Sequence, residues 1–94
     1  MSSYLHGETV VARRDGFIET FVGDELAGLH VENGTIYWFN PTATRVWQLL
    51  EQPMTVTGLC TALGAEYAVD PETCEADVRH VLQDLRTDDL IDLK

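Results

Sequence analysis

The chain has 94 residues, with 6 Lys+Arg against 16 Asp+Glu, a formal net charge of −10 and a pI near 4.4. That balance argues against nucleic acid, whose affinity for proteins comes largely from cations set on phosphates, and against anionic membrane surfaces. The length suits one small domain, 45% hydrophobic and 23% charged residues are ordinary for a folded globule, and no apolar run approaches the roughly 18 residues of a membrane span.

The N-terminus MSSYLHGETVV has no basic start followed by an apolar stretch, so no secretory signal is read and the cytoplasm is the expected compartment. A single domain over residues 1–94 is expected, with 1–7 as a flexible lead-in. Glu8–Arg14, with β-branched residues at its centre, reads as a strand. Asp15-Gly16 is a turn signal, and Phe17–Val22 is a second strand that Gly23-Asp24 ends. One of these two runs, or both as one bent edge, is expected to supply the first strand of a sheet.

Leu26–Asn40 carries the clearest local pattern: two extended runs flank Asn33-Gly34, a hairpin signal. Two registers are open. A two-residue turn pairs Glu32 with Thr35 and puts Leu29, Val31, Ile36 and Trp38 on one face. A three-residue turn pairs Val31 with Thr35, which puts Leu29, Val31, Tyr37 and Phe39 on one face and His30, Ile36 and Trp38 on the other. Either way four large apolar residues, Ile36 to Phe39, follow one another. A strand with one wet face needs only two, so both faces are covered or one waits for a partner.

Asn40-Pro41 starts a helix as N-cap and first helical residue, with Ala43, Val46, Trp47 and Leu50 on one face and Pro53 at its end. Thr55 caps a second helix on which Val56, Leu59, Cys60 and Leu63 repeat the spacing. Gly58 and Gly64 each weaken that helix by about 1 kcal/mol relative to Ala. Asp70-Pro71 starts a third helix running to about Thr87, with Cys74, Val78, Val81, Leu82 and Leu85 as its apolar stripe. Leu90–Leu93 reads as an extended tail packing back on the domain. Strands followed by helices make an α+β domain: a three-stranded antiparallel sheet, then three helices, in winged-helix-like order.

Catalytic chemistry finds little support. None of the nucleophile-elbow, zincin, phosphate-loop or dinucleotide-binding motifs is present. His6, His30 and His80 stand in unrelated contexts. Cys60 and Cys74 are too few for a disulfide framework and fall at apolar helix positions, where a thiolate is disfavoured. His80 lies on the wrong helix face to join Cys74 on a metal, so neither metal nor cofactor is expected. A DNA-reading third helix should be basic, whereas residues 70–89 set Asp70, Glu72, Glu75, Asp77, Asp84, Asp88 and Asp89 against Arg79 and Arg86. Peptide binding fits better: an exposed strand with apolar side chains accepts an extended peptide as an added strand, and Ile36–Phe39 is that strand. A thiol enzyme and a homodimer built through the same strand edge are the other classes considered.

Two stretches, GTIYWFNPTATRVWQLL (Gly34–Leu50) and MTVTGLCTALGAEYAVDPETCEADVRHVLQDLRTDDLI (Met54–Ile91), resemble the PqqD-like family, recognition domains for ribosomally made, modified peptides. The shared features are the glycine–aromatic–Asn–helix run with Trp-x-Leu-Leu, the Thr-Val helix, the Tyr-x-Val-Asp turn and the DV-x-x-x-L-x-x-L…L-I ending. Phe39 departs from the family's usual Leu before Asn40. The resemblance implies three antiparallel strands and three helices, no catalytic activity, and capture of a precursor's leader as a fourth strand between the third strand and the third helix. It favours Tyr37 and Phe39 inward, leaving Ile36 and Trp38 to face outward or line the cleft. The peptide-binding residues it implies are Ile36, Tyr37, Trp38 and Phe39 on the strand, Val78 and Leu82 as an apolar wall, and Glu75 and Arg79 as polar rim, with Val81 and Leu85 in the core. The implied partners are a precursor leader peptide and a leader peptidase or other maturation enzyme. A free-standing form of lasso-peptide type is expected, with a chaperone for a radical maturase as the alternative.

Overall fold

The computed structural model describes residues 6–67 and 69–94. Most of the expected lead-in lies outside them, but Gly7 is described, and its carbonyl accepts the Thr57 N–H at 3.1 Å. The strands are β1 (Val10–Arg13), β2 (Phe17–Val22), β3 (Glu25–His30) and β4 (Thr35–Phe39). They are followed by helix α1 (Pro41–Leu49), the two-residue strand β5 (Met54–Thr55), helices α2 (Val56–Glu66) and α3 (Pro71–Thr87), and strand β6 (Ile91–Leu93).

Each helix starts where its cap chemistry places it. The side chains of Asn40, Thr55 and Asp70 accept the N–H groups of Ala43, Gly58 and Thr73, and Pro41 and Pro71 open α1 and α3. Helix α3 ends in a left-handed cap: Asp89 takes φ 59°, the Leu90 N–H reaches the Leu85 carbonyl at 2.9 Å, and the Asp89 N–H reaches that of Arg86 at 3.1 Å.

Strands β2, β3 and β4 form an antiparallel meander, the expected three-stranded sheet ahead of three helices. The first two runs are not one bent edge. β1 belongs to a second, smaller sheet, where it is the middle strand between β5 and β6. The tail therefore packs back by pairing Val11 with Leu93 and Arg13 with Ile91.

The hairpin adopts neither expected register. His30 pairs with Thr35 and Leu29 with Ile36, so the loop is four residues long. Gly34 turns it at φ 72°, its N–H bonded to the His30 carbonyl at 2.8 Å, and the Asn33 carboxamide accepts the Thr35 N–H at 2.9 Å. This register lies two residues from the two-residue-turn register, so its facing is preserved. Leu29, Ile36 and Trp38 share the outer face, while Tyr37 and Phe39 turn inward with Leu26 and His30. Leu29 does not join Tyr37 and Phe39, as the three-residue turn required.

The core lies between the sheets and the helices and gathers Val11, Leu26, Phe39, Val46, Trp47, Leu50, Val56, Leu59, Leu63 and the whole stripe of α3. Trp47 is its hub. Phe17 and Phe39 contact its ring at centroid distances of 5.1 and 5.7 Å, and the Arg13 guanidinium lies 4.6 Å above it. Its indole N–H donates to Glu19 at 2.7 Å and its carbonyl accepts from Arg13 at 3.1 Å. Residues of β1, β2 and α1 are thus pinned together.

Candidate functional site

Among the described residues β4 pairs only with β3. Its other edge opens onto a cleft of about 250 Å³ that separates it from α3. Tyr37, Trp38 and Phe39 line one side, Ala43, Val81 and Leu85 supply an apolar floor, and His80, Asp84 and Asp88 line the α3 side. An edge strand offers its outward N–H and C=O groups as a template for another strand. Here that template lies beside apolar surface and acidic groups.

The residues expected at the site divide sharply. Ile36 and Trp38 are 64% and 62% exposed on the outer face. Tyr37 is half-buried, its hydroxyl 3.5 Å from the Asn33 amide that donates to it. Phe39 touches the cleft but is chiefly core, stacked on Phe17 at 5.6 Å. Val78 and Leu82 have no exposed surface at all. They sit mid-stripe, and the apolar lining expected of them comes from Val81 and Leu85 instead.

Glu75 and Arg79 pair with each other at 2.9 Å and line a different groove, about 440 Å³, with Val56, Cys60, Val69 and Cys74. Helix geometry explains the split. At about 100° per residue, Glu75 and Arg79 lie on one flank of the buried stripe, facing α2, while His80, Asp84 and Asp88 lie on the other, facing β4. Periodicity finds the stripe. It carries no sign of which neighbour lies on which flank.

The electrostatics of the cleft are acidic. His80 lies 3.6 Å from Asp84. Burial first, then the neighbouring charges of Asp84 and Asp89, push the Asp88 carboxyl above its ordinary value of 3.8. In the other groove, burial pushes the Cys60 and Cys74 thiols up from 9.0, which disfavours the thiolate. Among the described residues no three of His, Cys, Asp and Glu converge to hold a metal ion, and no helix is long and apolar enough to cross a membrane.

The meander's outer face extends beyond Ile36 and Trp38, which were expected to face outward or line the cleft, to residues of β2 that were not expected to join them. Ile18, Val22, Leu29, Ile36 and Trp38 all stand exposed on it, and Trp38 joins it to the cleft. Alternating strand positions would have disclosed it had the register been known. The first two strands' partners, and hence the Arg13–Trp47–Glu19 cluster, left no sequence signal.

No curated protein matches the sequence. Two solved structures match the fold. "TbiB1 in Complex with the TbiA(beta) Leader Peptide" is 31% identical, with a TM-score of 0.78 over 86% of this chain and 94% of that one. "Lasso peptide synthetase B1 complexed with the leader peptide" is 18% identical, with a TM-score of 0.75 over 86% and 95%, and speaks for the fold alone. The family model described as coenzyme PQQ synthesis protein D (PqqD) matches residues 25–91, which take in the meander from β3 onward, the cleft and all three helices; the chain belongs to the PqqD family.

Proposed function

We propose that this protein is a non-catalytic recognition module. It captures the leader segment of a ribosomally made precursor peptide as an added strand on β4, in the cleft beside α3, and presents it to a maturation enzyme such as a leader peptidase. The observation that carries this reading is the β4 edge, unpaired among the described residues, beside a cleft floored by Val81 and Leu85. A 31%-identical chain of the same fold, solved with a leader peptide, supports it. Both solved structures hold leader peptides, and we favour lasso-peptide maturation, the free-standing type that the sequence resembles, over coenzyme PQQ synthesis. The contacts we assign are main-chain bonds along β4, side-chain contacts from Tyr37 and Trp38, and the apolar floor.

The test is titration with the leader of the precursor encoded beside this chain, followed by the fluorescence of the exposed Trp38. Saturable binding is expected, and Trp38→Ala, measured beside the parent by isothermal titration calorimetry, weakens it about tenfold, or about 1.4 kcal/mol, with the melting temperature unchanged. Absence of saturable binding overturns the reading. The exposed outer face of the meander favours a second reading, self-association through the same sheet, which the net charge of −10 per copy opposes. Sedimentation at several concentrations separates the two.

A further inference from the structure

The C-terminal end of α3 carries Asp84, Asp88 as its cap and Asp89 just beyond, with Arg86 as the basic residue of the last turn. Helix C-termini favour cations, because the backbone carbonyls leave partial negative charge there. Two of these carboxylates, Asp84 and Asp88, face the cleft beside β4, and Asp88 is half-buried in it. Among the described residues arginines lie by five carboxylates outside the cleft: Arg13 by Glu19, Arg45 on Glu66, Arg79 on Glu75, and Arg14 by Asp89 and Asp92. At the cleft, among the described residues, Asp84 ion-pairs only with the exposed His80, at 3.6 Å. Acid set against the helix dipole, and turned into a cleft with an apolar floor, is an arrangement that folding alone disfavours.

Resting on the reading of this cleft as a peptide site, we infer that Asp84 and Asp88 select a peptide with a basic side chain. The lysine or arginine lies on the strand face turned to α3, two residues from an apolar side chain seated on Val81 and Leu85. The spacing fits. Asp84 and Asp88 are one turn apart, about 6 Å along the helix axis. Alternate residues of an extended strand are about 6.7 Å apart on one face. A basic residue at one such position reaches the carboxylates while its neighbour on the same face covers the floor. Glu75, already bound to Arg79 on the far flank, takes no part.

The experiment pans a phage-displayed library of random ten-residue peptides on the full chain, on the Asp84→Asn/Asp88→Asn variant and on the Asp84→Lys/Asp88→Lys variant. It then measures the affinity of one selected peptide and of its Lys/Arg→Gln form, together with each variant's melting temperature. Expected are peptides with Lys or Arg two positions from an apolar residue, at least tenfold weaker binding when either partner's charge is removed, and acidic peptides selected by the lysine variant. Both variants should melt at or above the parent's temperature, since each relieves the helix end, so lost affinity is not lost fold. Selected peptides that lose affinity on Trp38→Ala but show no basic preference, or keep it in both variants, overturn the charge inference and leave the cleft standing. Failure to select any peptide sensitive to Trp38→Ala overturns the cleft reading and this inference with it.

Discussion

Trp47 shows how much of the fold hangs on single side chains. Its ring is buried against Phe17 and Phe39, its N–H is held by Glu19, and Arg13 covers it. Trp47→Phe keeps an aromatic body but loses the indole bond and leaves Glu19 facing a weaker partner set. A cost of about 2 kcal/mol is expected in urea denaturation. Gly28 is a second such position: a Cβ there would lie 2.1 Å from the Phe17 ring, so Gly28→Ala forces that ring aside and should cost about 1–3 kcal/mol. Val78→Asp and Leu82→Asp bury a charge at positions with no solvent contact and are expected to unfold the domain, seen as loss of the cooperative thermal transition. They do not probe the cleft. These positions were legible as apolar helix stripe and no further, because periodicity finds a buried face without naming its neighbours.

At the scale of elements the caps and stripes were the most legible part. Asn40-Pro41, Thr55 and Asp70-Pro71 begin the three helices where the sequence places them. The hairpin register escaped because its loop is closed by non-local chemistry. The His30 imidazole donates from Nε2 to the Asp89 carbonyl at 3.3 Å, across 59 residues, while Asn33 secures Thr35 locally. The β1 sheet escaped for the same reason, its partners Met54–Thr55 and Ile91–Leu93 being distant in sequence. Helix α2 remains the element most open to improvement. A Cβ on Gly64 meets nothing within 4 Å, so Gly64→Ala should stabilise the domain by about 0.5–1 kcal/mol. Gly58→Ala should gain less, since its Cβ would sit 3.2 Å from the capping Thr55 hydroxyl.

Acid acts on these elements in two directions. The Arg45 hydrogen bond lowers the Glu66 carboxyl from 4.5, and the Thr73 N–H lowers that of Asp70 from 3.8. Their stabilisation is present in full above those ordinary values and is lost as pH falls through the depressed ones. The raised Asp88 carboxyl works oppositely: protonation relieves it, so its contribution rises as pH falls through its elevated value. Urea titrations between pH 6 and pH 2 should therefore show a flatter acid limb for Glu66→Gln, and Asp88→Asn should raise stability most near neutrality.

The whole molecule is an acidic body in which the uncharged, apolar β4 is a sheet edge. The net charge of −10 is not spread evenly, since the C-terminal end of α3 concentrates it beside the β4 edge. That concentration makes peptide capture salt-dependent, and affinity for a basic leader should fall as ionic strength rises beyond about 0.15 M. The central claim is that the peptide becomes a fourth strand on β4, and amide hydrogen exchange tests it most directly. With the cognate leader bound, the amides of Thr35–Phe39 and the α3 residues from His80 to Asp88 are predicted to gain protection, while β2 and the Glu75–Arg79 flank are unchanged. Protection that appears along β2 or in the groove between α2 and α3, with β4 exchanging as fast as before, would contradict the account.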